Sequence, residues 1–171
     1  MALRFEELIK RHHDEIFAYL WRLMGNDGHR DGSMDVEDLT QDVFLRAYDS
    51  FAAVRSNSNH RAWLYKIATH CAYTQFRRMK HQRDQLSWLK HSVTELETAS
   101  DDSSLRKDME QRGRALVNEL PAKQKACITL RYLQDLDYPE IAQILGCSQE
   151  SARGNVYQAI RHLRLALEGE K

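Results

Sequence analysis

Residues 136–163, LDYPEIAQILGCSQESARGNVYQAIRHL, hold two apolar-periodic runs on either side of a Gly-Cys pair. Asp137 and Glu140, three residues apart, form a capping-box pair that opens a helix over YPEIAQIL. Gly146-Cys147 then turns the chain, and Ser148 is placed to cap a second helix. In that second helix Ala152, Val156, Ala159, Ile160, Leu163 and Leu167 fall on one face, the expected buried stripe. Ser151, Gly154, Gln158 and Arg161 are left outward, with Arg153 and Tyr157 at the edges. Two short helices around a tight turn make a helix-turn-helix, whose second helix enters the major groove of DNA. This one carries little positive charge and a glycine at its centre, which costs about 1 kcal/mol relative to alanine. Close approach of the backbone to DNA and relaxed packing both account for Gly154.

The whole chain poses the same electrostatic puzzle, because its 171 residues include 25 basic and 25 acidic side chains. Dividing it where the composition changes removes the puzzle. Residues 1–54 hold six Lys/Arg against eleven Asp/Glu, whereas residues 55–83 hold seven Lys/Arg and no carboxylate. Residues 84–112 are mildly acidic and residues 113–171 close to balanced. A carboxylate-free window of this length is a footprint for phosphate, because each neutralised phosphate releases counterions. Trp63, Tyr65, Tyr73 and Phe76 lie within it among Arg61, Lys66, Arg77 and Arg78. Aromatic faces beside cations suit unstacked bases. Trp63, Leu64 and Ile67 equally fit a helix packed into a core.

Composition places the chain among ordinary soluble folded proteins, with 42% hydrophobic and 29% charged residues. Two prolines and seven glycines leave room for long helices, so an all-α fold is expected. The three cysteines, Cys71, Cys127 and Cys147, are widely spaced and form no C-x-x-C pair, which points to a reducing cytoplasm and to no zinc or other cofactor. No segment reads as a signal peptide or membrane span, so neither export nor membrane insertion is expected.

Periodicity predicts a first helix from Phe5 to Met24, stopped at Gly25-Asn26-Asp27-Gly28. A second helix begins near Asp35, with Glu37 and Asp38 in its first turn, and buries Val36, Leu39, Val43 and Ala47. Asp38, Gln41, Asp42 and Leu45 then form an acidic, partly apolar outward face. That face serves either solubility or the docking of a basic protein. After the polar loop Arg55-Ser56-Asn57-Ser58-Asn59, HRAWLYKIATHCAYTQFRRMK reads as a third helix. The pattern weakens between His81 and Arg112, a linker that can hold short helical pieces. A second unit starts after Gly113, with Pro121 in a first-turn position. The expected organisation is two small helical domains, 1–83 and 113–171, joined by a flexible linker at 84–112.

Both units match one family in the same order. DVEDLTQDVFLRAY and RAWLYKIATHCAYTQFRR resemble the second conserved region of bacterial RNA polymerase sigma factors, and LPAKQKACITLRYLQDLDYPEIAQILGCSQESARGNVYQAIRHLR resembles the fourth. Without further regions, the chain is similar to the small extracytoplasmic-function group of the sigma-70 family. The resemblance implies an initiation factor that does no chemistry, acts as a monomer when free, and has core RNA polymerase, promoter DNA and an anti-sigma factor as partners.

It assigns Asp35, Asp38, Gln41, Asp42 and Leu45 to polymerase binding. Asn57, Ser58 and Asn59 fall on the loop that captures a base flipped from the minus-ten element, where polar bonding to the base edge offsets the cost of extrusion. Arg61, Lys66, His70, Tyr73, Thr74, Arg77 and Arg78 fall where the family reads or grips the minus-ten strand. Relatives often carry asparagine or another polar residue at positions 70 and 74. Ser151, Arg153, Gly154, Tyr157, Gln158 and Arg161 fall on the minus-thirty-five surface. Relatives tend to be more basic there, including at the positions of Asn155 and Gln158. Arg153 suits guanine or phosphate, Gln158 adenine, and Tyr157 a sugar or a thymine methyl. The linker is expected to thread toward the polymerase active-site channel, and the helix pair alone is expected to bind DNA poorly.

Two other readings exist. A helix-turn-helix regulator that never joins polymerase explains residues 137–164 but leaves the acidic helix and the carboxylate-free window without a role. An enzyme would have to use His12-His13-Asp14-Glu15, yet neighbouring helical residues point about 100° apart and cannot easily share one ion.

Overall fold

The computed structural model describes residues 4–24, 36–55, 58–89 and 105–169. Among them every regular element is helical: α1 (Phe5–Met24), α2 (Val36–Phe51), α3 (His60–Leu89), α4 (Leu105–Glu119), α5 (Ala122–Ile128), α6 (Tyr138–Leu145) and α7 (Gln149–Glu168). A π-helical turn, Thr129–Leu133, continues α5 toward α6.

Helices α1, α2 and α3 pack on one another because each presents an apolar stripe at helical spacing. Leu8, Ile16, Leu20 and Leu23 of α1 meet Leu39, Val43 and Ala47 of α2 and Leu64, Ala68 and Ala72 of α3 in a buried core. Tyr19 is fully buried too, with its hydroxyl 2.8 Å from Thr69 Oγ1 and its ring edge-on to Tyr65 at 5.1 Å. Thr40 and Phe44 join the buried face of α2 beyond the residues expected, and Val36 is only partly covered.

In the second unit the capping box forms as expected. The Glu140 amide donates to Asp137 Oδ1 (2.9 Å), and the Asp137 amide donates to Glu140 Oε2 (3.1 Å). Gly146 ends α6 in the left-handed region at φ 63°, and Ser148 Oγ accepts from the Ser151 amide at 3.1 Å. Ala152, Val156 and Ala159 bury against α5 and α6. Leu167, expected in the buried stripe, is instead 56% exposed, because it stands in the last turn of α7 beyond its packed stretch. Pro121 is the N-cap of α5 rather than its first helical residue, with φ −53° and ψ 143°.

Helices reach into both ends of the expected linker: α3 continues to Leu89, and α4 starts at Leu105 and runs on to Glu119. The two units also touch, with α6 lying along α3 and the π-helical turn meeting α1. Their apolar residues form one continuous buried cluster.

Candidate nucleic-acid interface

Three surfaces carry the residues singled out by the sequence. On α2, Asp38 and Gln41 are exposed and Asp42 half-buried, and Leu45 is 64% exposed beside them. Tyr48, one turn further on the same face, is 65% exposed and meets the edge of the Phe5 ring at 5.3 Å. Positions 38, 41, 42, 45 and 48 recur at helical spacing, so carboxylates and large apolar groups share one outward stripe. Tyr48 was legible from that spacing and was not singled out. Asp35 lies outside the described residues.

The second surface follows α3. Asn57 lies outside the described residues; Ser58 and Asn59 are exposed, but Asn59 Oδ1 accepts from the Ala62 amide (3.0 Å) as the N-cap of α3. Lys66, His70, Arg77 and Arg78 are exposed. Thr74 turns its hydroxyl back to the His70 carbonyl (2.9 Å), as threonines within helices often do.

Arg61 and Tyr73 are directed inward. Arg61 Nε donates to Glu15 Oε2 (2.9 Å) and its terminal nitrogen donates to the Gln134 backbone carbonyl (3.3 Å). Burial is the largest single influence and opposes the guanidinium charge, but the hydrogen bond to Glu15, the charge of Glu15 and smaller contributions from Tyr65 and Glu140 together outweigh it, so the Arg61 pKa is raised. The Tyr65 hydroxyl sits 2.8 Å from Gln134 Oε1 and 3.2 Å from Glu15 Oε2, and its single proton can serve only one of them at a time. Burial pushes the Tyr65 and Tyr73 hydroxyls above the ordinary tyrosine range, and the neighbouring Cys127 and Cys147 add to the effect at Tyr73. Of the four aromatics in the carboxylate-free window, Tyr65 is fully buried and Trp63, Tyr73 and Phe76 pack against the core. The Lys125 ammonium lies 6.0 Å from the centre of the Phe76 ring. Arg46, Ser50, Trp63, Lys66, Ile67, Thr69, His70 and Tyr73 line a cavity of about 650 Å³ with Ile144, Leu145 and Gly146 of the second unit.

The third surface is the outer face of α7. Ser151, Arg153, Tyr157, Gln158 and Arg161 are all exposed, Tyr157 by 66%, and Gly154 is half-buried. A Cβ added at Gly154 would meet nothing within 4 Å, so no contact within the chain requires glycine there. Gln158 Oε1 accepts from Gln124 Nε2 (3.1 Å), and Asn155 donates to the Ser151 carbonyl (2.8 Å). The Arg153 and Arg131 guanidiniums lie 5.1 Å and 5.2 Å from the centre of the Tyr138 ring.

At the histidine pair of α1, buried His12 bonds through Nδ1 to Glu15, while exposed His13 bonds to Asp14 (3.0 Å) and stacks on Phe44. The two rings thus serve different partners, and among the described residues no group of three or more His, Cys, Asp or Glu is arranged to hold a metal. No helix among them is long and apolar enough to cross a membrane.

This arrangement recurs in known proteins. RNA polymerase sigma factor YlaC of Bacillus subtilis is 29% identical over 161 residues, which is 93% of this chain and 89% of that protein. ECF RNA polymerase sigma factor SigX of the same organism is 23% identical over 98% of this chain and 86% of its own length. The sigma factor RpoE of Bartonella quintana, solved in complex with the anti-sigma factor NepR, shares the fold with a TM-score of 0.70 at 22% identity, covering 98% of both chains. The family models for Sigma-70 region 2 and Sigma-70 region 4 match residues 8–83 and 112–163, so that the acidic α2 and basic α3 fall in one match and the helix-turn-helix in the other. A chain that carries both regions, in this order and on these helices, belongs to the sigma-70 family of RNA polymerase sigma factors.

Proposed function

We propose that the protein is an initiation factor of the extracytoplasmic-function type, which joins core RNA polymerase and directs it to a set of promoters. The observation that carries this reading is the separation of charge onto different helices of one small chain. An exposed stripe of Asp38, Gln41, Asp42, Leu45 and Tyr48 on α2 offers carboxylates and apolar anchors to a basic protein surface. Lys66, Arg77 and Arg78 expose cations along α3 and His70 an imidazole, from a window without a single carboxylate. Arg153, Tyr157, Gln158 and Arg161 expose hydrogen-bonding side chains on the second helix of a helix-turn-helix.

Division of labour follows from these chemistries. Region 4, beginning near residue 113, holds the minus-thirty-five duplex through α7. Region 2, up to about residue 83, grips the melted minus-ten strand through α3 and the polymerase through α2. The segment between them connects the two. Phosphate contacts from Arg77 and Arg78 position the strand without reading it, whereas Arg153 and Gln158 contact base edges. The protein supplies no catalytic group and works in the cytoplasm, with an anti-sigma factor as a further partner, the kind of partner with which the Bartonella quintana factor was solved.

Run-off transcription with purified core polymerase on a randomised promoter library tests the reading. Selective transcription from a subset of templates, together with co-purification with core, is the expected result. Sequence-specific duplex binding without any association with core would establish the regulator instead.

A further inference from the structure

The cavity bounded by α2, α3 and the end of α6 is chemically divided. Its volume of about 650 Å³ falls within the range of roughly 300–1,000 Å³ that holds small organic molecules. Helix α3 supplies much of the lining, because Trp63, Lys66, Ile67, His70 and Tyr73 recur at the three- and four-residue spacing that brings side chains to one helix face. Arg46 comes from α2, and Ile144 and Leu145 come from the last turn of α6. The apolar part of this lining is covered: Ile144 is buried, and Trp63, Ile67 and Leu145 are half-buried. The basic part, Arg46, Lys66 and His70, is exposed. Among the described residues no carboxylate lines the cavity, and Asp42, one turn before Arg46, stands outside the lining. Two of the lining hydroxyls are already committed. Ser50 Oγ donates to the Arg46 carbonyl (2.8 Å) and Thr69 Oγ1 to the Tyr65 carbonyl (2.7 Å). The Tyr73 hydroxyl is buried without a hydrogen-bond partner, a group that an acceptor oxygen would satisfy.

We propose that this cavity binds a small amphipathic carboxylate, one anionic head on an apolar chain or ring, with the head toward Arg46 and Lys66 and the body against Trp63, Ile67 and Leu145. The division of the lining selects this class. A metal ion would meet cations, and a bare inorganic anion would leave the apolar walls facing water. An uncharged lipid would cover the basic groups without offering them a partner. A carboxylate on an apolar body satisfies both parts, and its head stays at the exposed side, where a charge keeps much of its hydration. Because those cations are exposed, the head contributes a modest and salt-sensitive share of the affinity, and the body contributes the larger one. Each methylene buried should tighten binding about fourfold. The site goes beyond the initiation reading and does not depend on it, since cavity and lining stand whatever the chain binds elsewhere.

Isothermal titration calorimetry on the full-length chain, with hexanoate, octanoate and octan-1-ol as probes, tests the proposal. Octanoate should bind saturably, one per chain, and about fifteenfold tighter than hexanoate, which is two methylenes shorter. It should also bind about three- to fivefold tighter than octan-1-ol, which lacks the charge. Two substitutions outside the surfaces assigned to DNA and polymerase locate the site. Arg46→Gln should weaken octanoate about three- to fivefold and leave octan-1-ol unchanged. Leu145→Trp puts a larger side chain into the apolar part and should weaken both probes about tenfold or more. Arg46 is exposed on α2, so its variant keeps the core intact and decides the matter even if Leu145→Trp disturbs the fold. The proposal is overturned if octanoate gives no saturable heat, or if hexanoate and octanoate bind equally, which is what a bare anion site would do. It is overturned as well if Arg46→Gln leaves octanoate unaffected or weakens octan-1-ol by the same factor.

Discussion

The Arg153 guanidinium rests 5.1 Å from the centre of the Tyr138 ring, which ties α7 to the first residue of α6. The contact leaves the head group exposed and pre-orders a long side chain that would otherwise lose more rotamer freedom on meeting a base. Arg153→Ala should relax base preference at one position of the minus-thirty-five element by roughly 1–3 kcal/mol and leave core binding unchanged. Tyr138→Leu should weaken the same preference less, since the arginine remains. Competition binding with single-base promoter variants measures both.

Arg77 and Arg78 are exposed near the middle of the long α3, where they can meet phosphates without disturbing the core. Replacing both with alanine should weaken promoter opening. It should also flatten the dependence of single-strand affinity on salt, the log–log slope falling by about 1.4 if each arginine neutralises one phosphate. An unchanged slope would remove the phosphate role from both.

The reciprocal bonds between Asp137 and Glu140 satisfy amide groups at the start of α6. Asp137→Ala should lower stability by about 1 kcal/mol, within a range of 0.5–2, visible as a lower midpoint in chemical denaturation. Glu140→Gln keeps a side-chain acceptor there and should cost less.

Burial pushes the Cys127 thiol up to about 12, with the neighbouring Cys147 adding to the rise. The folded state therefore keeps its proton where the unfolded chain has lost it. Stability from this group is complete below pH 9 and falls as pH rises from 9 toward 12, because the unfolded state binds fewer protons across that window. The buried hydroxyls of Tyr19, Tyr65 and Tyr73 act in the same direction above pH 10. Denaturation midpoints measured between pH 8 and 10 should decline, and Cys127→Ala should flatten the decline whatever it does to the midpoint itself.

What the sequence disclosed and what it hid divide along the range of the interactions. The capping box at Asp137, the turn at Gly146, the cap at Ser148 and the stripe Ala152, Val156 and Ala159 are matters of spacing within a few residues, and all were legible. The exposed face of α2 was legible for the same reason. The inward turn of Arg61 was not, because Glu15 and Gln134 lie 46 and 73 residues away and no periodicity relates them. The π-helical turn that delivers Gln134 inserts an irregular step that a period of 3.6 residues does not encode. Asn59 shows a different failure. Its residue type suits both base recognition and helix capping, and only the geometry reveals that its side chain caps α3.

Gly154 has a bearing on how such a factor could change its targets. A Cβ at this position would meet nothing within 4 Å, and its neighbours Arg153, Tyr157 and Gln158 are all exposed. Substituting alanine should stabilise α7 by up to about 1 kcal/mol. The alanine methyl would stand on the same outward side of α7 as those three side chains. Position 154 is therefore a place where a methyl group can be added to the proposed minus-thirty-five surface at no cost in internal packing.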